Sequence, residues 1–232
     1  MYLSVSKIKS FETCKLQYKW LYIDKIYKPV PPTEEQLFGI YLHRFIELYP
    51  EKEVAEIVEL LNEEMEKGPF LGKELIEAIV NTVKFLKQFD NYKKRAEHKI
   101  NVNLNRNIKL GGKIDRLYMS ENNNIVIDFK TSKNFYQGFN DLQLKFYSLL
   151  VHKKYNIDPE KIEVIAFYSR PNKYERKSFN DEDIMYFIRY LEDIVDKMLT
   201  INEFPPTQNN LCRFCAYKDS MCPLFNDHNN IS

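Results

Sequence analysis

The strongest constraint on the fold lies between residues 108 and 130, where apolar and polar side chains alternate along two consecutive segments. Alternation with a period of two is typical of β-strands, because successive side chains point to opposite faces of a sheet. Three asparagines, Asn122 to Asn124, separate the segments and predict a tight turn. We therefore predict an antiparallel meander with strands at 99–104, 108–119 and 125–130.

This hairpin also predicts a cluster of charged side chains. Asp128 and Lys130 lie two residues apart and therefore point to the same face, whereas the apolar side chains between and before them point to the core. Pairing across the turn places Asp115 beside Asp128. Two neighbouring carboxylates repel each other, and a hard divalent cation with oxygen ligands relieves that repulsion. The arrangement is suited to metal-assisted phosphodiester hydrolysis, in which Lys130 stabilises negative charge. Asp-x-Lys alone is weak evidence, because such pairs also occur on ordinary solvated strands.

The rest of the chain is largely helical. Amphipathic periodicity and capping residues predict helices at 6–22, 34–48, 54–66, 73–89, 137–155 and 181–201, and strands at 162–168 and 174–178. The first helix is expected to begin at Ser6, and the buried stripe of the second is expected to consist of Leu37, Tyr41, Phe45 and Leu48. Helices combined with an antiparallel meander indicate a mixed α/β fold.

Two of the predicted helices carry polar residues that can face the charged cluster. Gly39, His43 and Glu47 are spaced four apart and share one helix face, so His43 can reach a metal as a nitrogen ligand. Gln143 and Tyr147 have the same spacing on the helix that follows Lys130, where their polar tips can contact the lysine or a phosphate. The alternatives are a structural histidine and an ordinary amphipathic helix end.

Charge is distributed unevenly along the chain. Net charge is only +1, but residues 51–77 hold nine Glu, and residues 84–113 hold nine Lys or Arg against Asp90 and Glu97. Such a basic strip can neutralise phosphates, although a solvated charged face is an equally good reading. Glu97 itself is a weaker candidate for the site.

The four cysteines form a separate pattern. Cys212, Cys215 and Cys222 are closely spaced in a loop-rich tail, and Cys14 lies on the first helix. Thiols at this spacing in a cytosolic protein usually bind metal, and four thiolates suit either tetrahedral zinc or an iron–sulfur cluster. A site that uses all four would join the two ends of the chain and remove much loop-closure entropy from the unfolded state.

Composition limits the class of protein. A hydrophobic fraction of 44% in 232 residues supports one sizeable core. No apolar run approaches the roughly 20 residues that a membrane span needs, and the first residues do not form the apolar segment of a signal peptide. We therefore expect a cytoplasmic protein that does not enter a membrane.

In their order along the chain, these motifs resemble the RecB-like branch of the PD-(D/E)XK nucleases. The matching segments are Ser4–Trp20 with its early cysteine, Gly39-x-x-x-His43, Gly112-x-x-Asp115-Arg116, Asp128-x-Lys130-Thr131 and Gln143-x-x-x-Tyr147. The resemblance covers nearly the whole length and implies a single nuclease domain over 1–232, with a restriction-endonuclease-like core of a mixed sheet flanked by helices.

The resemblance also implies roles for the site residues. His43, Asp115, Asp128 and the backbone carbonyl of Phe129 would bind Mg²⁺ or Mn²⁺. Lys130 would position the attacking water, with Gln143 and Tyr147 supporting the lysine or holding the DNA backbone.

One early and three late cysteines are similar to the iron–sulfur nucleases of this branch. This implies a [4Fe-4S] cluster on Cys14, Cys212, Cys215 and Cys222 rather than zinc, as a staple between the N-terminal helix (1–27) and the C-terminal tail (205–232). A chain of this size is most similar to the CRISPR-associated exonucleases, which implies action on single-stranded DNA ends in spacer acquisition, or in recombination and repair together with proteins of those pathways. The alternatives are a non-catalytic DNA-binding or scaffolding subunit and a zinc-stapled structural protein.

Overall fold

A computed structural model describes residues 1–49, 51–65, 72–120 and 123–226. Its centre is a mixed sheet of six strands with helices on both faces, which confirms the predicted α/β class. Among the described helices, none is both long and apolar enough to cross a membrane.

The strands and helices follow one another in an order close to the one predicted. The strands are β1 (Tyr2–Leu3), β2 (Lys93–Asn103), β3 (Lys109–Met119), β4 (Asn124–Lys130), β5 (Ile162–Tyr168) and β6 (Lys173–Ser178). The helices are α1 (Val5–Thr13), α2 (Lys15–Tyr18), α3 (Glu34–Leu48), α4 (Val54–Met65), α5 (Gly72–Leu86), α6 (Asp141–Tyr155) and α7 (Asp181–Thr200), and a π-helical turn at Lys19–Ile23 follows α2.

Strand pairing confirms the meander. β2 pairs antiparallel with β3 along almost its whole length, and β3 pairs antiparallel with β4. β4 pairs parallel with β5, which pairs antiparallel with β6, so the sheet is mixed. The first strand, β1, was not expected; it pairs parallel with the beginning of β3, where Tyr2 lies opposite Lys109.

Apolar side chains fill the space on both faces of the sheet. On one face α1, α6 and α7 pack against residues such as Val126, Val164 and Ala166. On the other face α3, α4 and α5 pack against Ile127, Phe129 and other buried side chains. Alternate residues of β4 thus enter different cores, as expected for a strand covered by helices on both faces.

Several predicted boundaries were wrong for local reasons. The first helix begins after Ser4, whose hydroxyl accepts a hydrogen bond from the Lys7 N–H, and it breaks at Cys14, where the backbone is extended. The helix after β4 begins at Asp141 rather than residue 137, because Gly138 has φ +75° and belongs to a loop.

The second helix has the predicted bounds but a shifted buried face. Thr33 and Gln36 form a capping box at its start, which fixes the first turn. Its buried residues are Phe38, Tyr41, Leu42, Phe45 and Ile46, while Leu37 and Leu48 are only partly buried.

The edge of β3 that faces β4 is shared between two strands. On β3, the β4 pairing covers Arg116, Leu117 and Tyr118, and the β1 pairing covers Lys109 and Leu110. Because β2 occupies the opposite edge, none of the described strands lies beside residues 111–115 on this side. This interruption in the sheet opens the space in which the candidate site lies.

Gly112 and Gly39, two of the glycines near this region, respond differently to an added side chain. A Cβ at Gly112 would lie 2.9 Å from Leu150 Cδ1 and 3.3 Å from the Tyr147 ring. A Cβ at Gly39 would lie 3.4 Å from Thr131 Oγ1, which is an ordinary contact. α3 therefore does approach the end of β4, but an alanine also fits there.

We expect Gly112→Val to destabilise the protein by about 1 to 3 kcal/mol, because α6 is already in contact with the strand and Leu150 is fully buried. Gly39→Ala serves as the comparison and should stabilise by about 0.5 to 1 kcal/mol, since alanine is favoured in a helix. Differential scanning calorimetry measures both. A Gly112→Val protein as stable as the wild type would contradict the close packing of α6 on β3.

Candidate active site

The two aspartates lie where β3 and β4 separate. Arg116 and Ile127 form the last pair of the ladder, and Asp115 and Asp128 occupy the next position on each strand. Here the Asp115 side chain replaces the missing strand contact, since its Oδ2 accepts a hydrogen bond of 2.8 Å from the Phe129 N–H. The carboxylate thus holds the two strands at the point where they part.

Asp128 belongs to a hydrogen-bonded network with Lys130 and α6. Lys130 Nζ lies 2.5 Å from Asp128 Oδ2 and donates to Gln143 Oε1 at 3.0 Å. Gln143 Nε2 donates to Asp128 Oδ1 at 2.8 Å, and the Tyr147 hydroxyl, 3.1 Å from that nitrogen, donates to the Lys113 carbonyl at 3.0 Å. The predicted pair Gln143 and Tyr147 therefore fixes both the aspartate and the lysine.

His43 reaches the same place from the other helical layer. Its Nδ1 lies 3.5 Å from Asp115 Oδ1. Burial alone would lower the pKa of His43, but the Asp115 carboxylate outweighs this, and the pKa is raised. Glu47, one turn further along α3, is exposed and pairs with Arg44, so it does not join the cluster.

Arg116 positions the helix that carries His43. Its buried guanidinium donates hydrogen bonds to the carbonyls of Ile46 and Tyr49, at the C-terminal end of α3. These carbonyls lack partners within the helix, and a cation is favoured at this end of the helix dipole. Adjacent residues of β3 therefore perform two tasks: Asp115 faces the cluster, and Arg116 holds α3 against the sheet.

Glu97 is a member of the cluster that the sequence indicated only weakly. It lies opposite Asp115, and this pair is missing from the otherwise continuous register between β2 and β3. Its φ is +46°, an uncommon conformation for a residue with a side chain, and such strain concentrates at functional sites. Ligand atoms of His43, Glu97 and Asp115 all lie within 4.8 Å of one another. Strand periodicity carries no signal for this local distortion.

The chemistry of these groups fits a divalent cation. Asp128 Oδ2 is buried, and within the described part of the chain it receives no hydrogen bond of acceptable geometry; its contact with Lys130 is ionic. Burial raises the pKa of Asp128 to about 6; Lys130 opposes this rise, and the nearby Asp115 adds to it. A buried carboxylate whose pKa stays raised, beside a second carboxylate, is an environment that a hard cation stabilises.

The sequence matches the PD-(D/E)XK nuclease superfamily over residues 2–223. The chain belongs to this superfamily. Its members are nucleases that use divalent metals, and in this chain His43, Glu97 and Asp115 form a group that could bind one. No curated protein matches the sequence.

The solved structures that are similar to this PD-(D/E)XK nuclease include two of low identity. One is SSO0001, with 20% identity over 84% of this chain and 89% of that chain, and a TM-score of 0.41. The other is an alkaline exonuclease (LHK-Exo) from Laribacter hongkongensis, with 9% identity over 71% of this chain and 99% of that chain, and a TM-score of 0.30.

The four cysteines of the nuclease lie away from the carboxylates, around one cavity. Cys14 at the end of α1 borders it together with Cys212, Cys215 and Cys222 of the tail. Trp20 and Tyr217 pack against each other with ring centroids 5.0 Å apart, and Tyr217 donates a hydrogen bond of 2.5 Å to the Ile26 carbonyl. The two ends of the chain therefore meet in a small core of their own.

We expect Asp128→Asn to stabilise the metal-free nuclease by about 1 to 3 kcal/mol at pH 8, because the variant avoids the cost of ionising a buried carboxylate. The raised pKa means that the wild type loses stability as pH rises from about 4 to about 6. The difference in Tm should therefore be largest above pH 6 and shrink towards pH 4.

Thermal unfolding in chelator across this pH range tests the expectation. Asp196→Asn removes an exposed carboxylate of α7 and should follow the wild-type profile. If the Asp128→Asn protein were no more stable than the wild type at pH 8, this would contradict the proposed free-energy cost of ionising Asp128.

Proposed function

We propose that this chain is a divalent-metal-dependent DNA exonuclease that hydrolyses phosphodiester bonds at single-stranded ends. Asp115 and Asp128 act as metal ligands together with His43 and the carbonyl of Phe129, and Glu97 is a further ligand. The observation that carries the proposal is the convergence of Asp115, Asp128 and Lys130 at the point where β3 and β4 separate.

Each residue of the candidate site has a defined task in the proposed reaction. A bound cation would polarise the scissile phosphate and lower the pKa of the attacking water. Lys130 orients that water and stabilises the negative charge that develops on the phosphate. Gln143 holds Lys130 through Oε1 and Asp128 through Nε2, and Tyr147 holds Gln143. The network thereby fixes the lysine before the substrate arrives.

The substrate and the pathway rest on the motif resemblance. One early and three late cysteines are typical of the iron–sulfur branch of these nucleases, and this branch includes CRISPR-associated exonucleases. We therefore propose a role in spacer acquisition or in recombination and repair, in the cytoplasm.

We expect Asp115→Asn, Asp128→Asn and Lys130→Gln each to lower kcat by at least about 10²-fold, because each variant removes a metal ligand or the stabilising cation from the reacting phosphate. Release of nucleotides from labelled single-stranded DNA with Mg²⁺ or Mn²⁺ measures this. Strands labelled at the 5′ or the 3′ end also report the direction of digestion.

Glu47→Gln is the matched control, because Glu47 lies on the helix of His43 but is exposed and paired with Arg44. It should retain wild-type activity. Full activity in the three variants would refute the assignment. Tight DNA binding without cleavage in either metal would instead favour a non-catalytic DNA-binding subunit.

We further propose that the four cysteines hold a [4Fe-4S] cluster. Within the described residues, no three cysteine sulfurs lie within 4.8 Å of one another, although all four line one cavity. Tetrahedral zinc would bring its sulfur ligands to about 3.8 Å from each other, since Zn–S bonds are about 2.3 Å. A cluster is larger than a single ion and spaces its thiolates more widely.

The surroundings of the sulfurs also suit a cluster. Burial raises the pKa of Cys215, and the three other cysteine sulfurs add to this rise. Mutual repulsion of this kind favours the binding of a cationic centre. Gln17 Nε2 lies 3.8 Å from Cys215 Sγ, and the Asn209 N–H lies 3.4 Å from Cys212 Sγ, so hydrogen-bond donors to the sulfurs are present.

We expect protein purified without oxygen to be brown, to absorb near about 400 nm and to contain about four iron atoms per chain. Cys14→Ser and Cys215→Ser should each lose the colour and lower Tm, because the ends of the chain are no longer joined. Met221→Leu changes a neighbour of Cys222 without removing a thiol and should keep the iron. Zinc in place of iron, or colour that survives Cys14→Ser, would contradict the proposed ligand set.

A further inference from the structure

A second cavity lies beside the candidate active site, where β1 and the start of α1 approach β3. We propose that this cavity binds a phosphate group of the nucleic acid next to the bond that is hydrolysed. The inference rests on the proposed function, because it specifies how the same site holds its substrate.

The walls of this phosphate cavity are polar and basic. It encloses about 460 Å³ between β1, the first turn of α1, β2, β3 and α6. Lys9, Lys99 and Lys113 line it, together with the hydroxyl-bearing residues Ser4 and Ser6. No carboxylate residue contributes to its lining among the residues that the structure describes.

Two of the lysines are placed against each other by the strand register. Lys99 of β2 lies directly opposite Lys113 of β3. Like charges at opposed positions of antiparallel strands destabilise a sheet unless an anion compensates them. Lys113 pairs with Glu97, but within the described ranges no carboxylate lies within ion-pair distance of Lys99 or Lys9. The cavity thus retains positive charge that a phosphate would neutralise.

The start of α1 adds a second, independent attraction for an anion. The N-terminal end of α1, a helix of nine residues, lines the phosphate cavity with its N-cap Ser4 and with Val5 and Ser6. The first N–H groups of a helix have no acceptor within it, and the helix dipole favours negative charge there. The lysines and the N-terminal end of α1 therefore face the same cavity.

Shared residues connect the phosphate cavity to the proposed reaction centre. Gln143 and Tyr147 line the cavity and also hold Asp128 and Lys130. Lys9 Nζ lies 3.5 Å from Gln143 Oε1, the same oxygen that accepts from Lys130. A phosphate in the cavity would lie next to the one that is attacked.

Lys99→Gln is the sharpest test, because in the described part of the chain no hydrogen bond or ion pair joins the Lys99 side chain to the aspartates or to Lys130. We expect binding of a single-stranded oligonucleotide in chelator to weaken about 3- to 10-fold, with the slope of log K against log salt reduced by about 0.7 for one lost phosphate contact. With metal, KM should rise by a similar factor while kcat stays within about twofold. Lys94→Gln, on the exposed opposite end of β2, should behave as the wild type.

Unchanged binding and salt slope in both Lys99→Gln and Lys9→Gln would overturn the proposed cavity, whether or not the wild type cleaves DNA. The converse result, a salt-dependent binding defect in a protein that never cleaves DNA, would support the cavity and refute the proposed function. The two hypotheses therefore fail separately.

The bound phosphate can be a terminal group or an internal diester. Oligonucleotides with a 5′-phosphate, a 3′-phosphate or only hydroxyl ends distinguish these sources. If the terminal group occupies the cavity, the Lys99→Gln defect should disappear on the hydroxyl-ended strand. If an internal diester occupies it, the defect should be equal on all three strands. Either pattern supports a phosphate subsite, whereas a defect on none of the strands contradicts it.

Discussion

The hydrogen bond from the Phe129 N–H to Asp115 is the interaction on which the arrangement of the site depends. It lies at the position where β4 leaves β3, and it satisfies a backbone donor that would otherwise lose its partner when the ladder ends. The other carboxylate oxygen of Asp115, which lies 3.5 Å from His43 Nδ1, is then available to a cation. The neighbouring Arg116 fixes α3 through the carbonyls of Ile46 and Tyr49. One short segment of β3 thus sets the positions of β4 and of α3 relative to the carboxylates.

The candidate site contains groups that lower the stability of the fold, and the pairing of the neighbouring strands holds them in place. Asp128 is buried with a raised pKa, and Glu97 has a left-handed backbone. Groups of this kind persist only where the surrounding structure holds them in place. Here the continuous pairing of β2 with β3 on both sides of Glu97, and the parallel pairing of β4 with β5, supply that support. Among the described strands, the left-handed backbone lies at the position where Glu97 faces Asp115.

Much of this architecture could be predicted from the sequence, because its main signals are periodic. Alternation located the hairpin, and the proline-rich break before residue 34 together with the apolar periodicity located α3. Local departures from a regular helix or strand could not be predicted in this way. Cys14 is extended although the surrounding sequence has a continuous helical pattern. Glu97 has a left-handed backbone although the surrounding sequence resembles a regular strand. Two-residue β1 is too short to show a period at all, yet it forms one border of the opening in the sheet. Such features depend on tertiary contacts rather than on local preference.

Helix α1 connects the two proposed functional regions of this nuclease. Its N-terminal half lines the phosphate cavity and carries Lys9 towards Gln143, while its last residue precedes Cys14 at the cavity lined by the cysteines. Between these ends Ile8 and Phe11 are buried in the main core, so the helix cannot shift at one end without disturbing the other. A cluster that ties Cys14 to the tail would therefore also fix the position of Lys9. This gives a physical reason for a cofactor remote from the reacting phosphate: it would hold in place the helix that forms one wall of the substrate site.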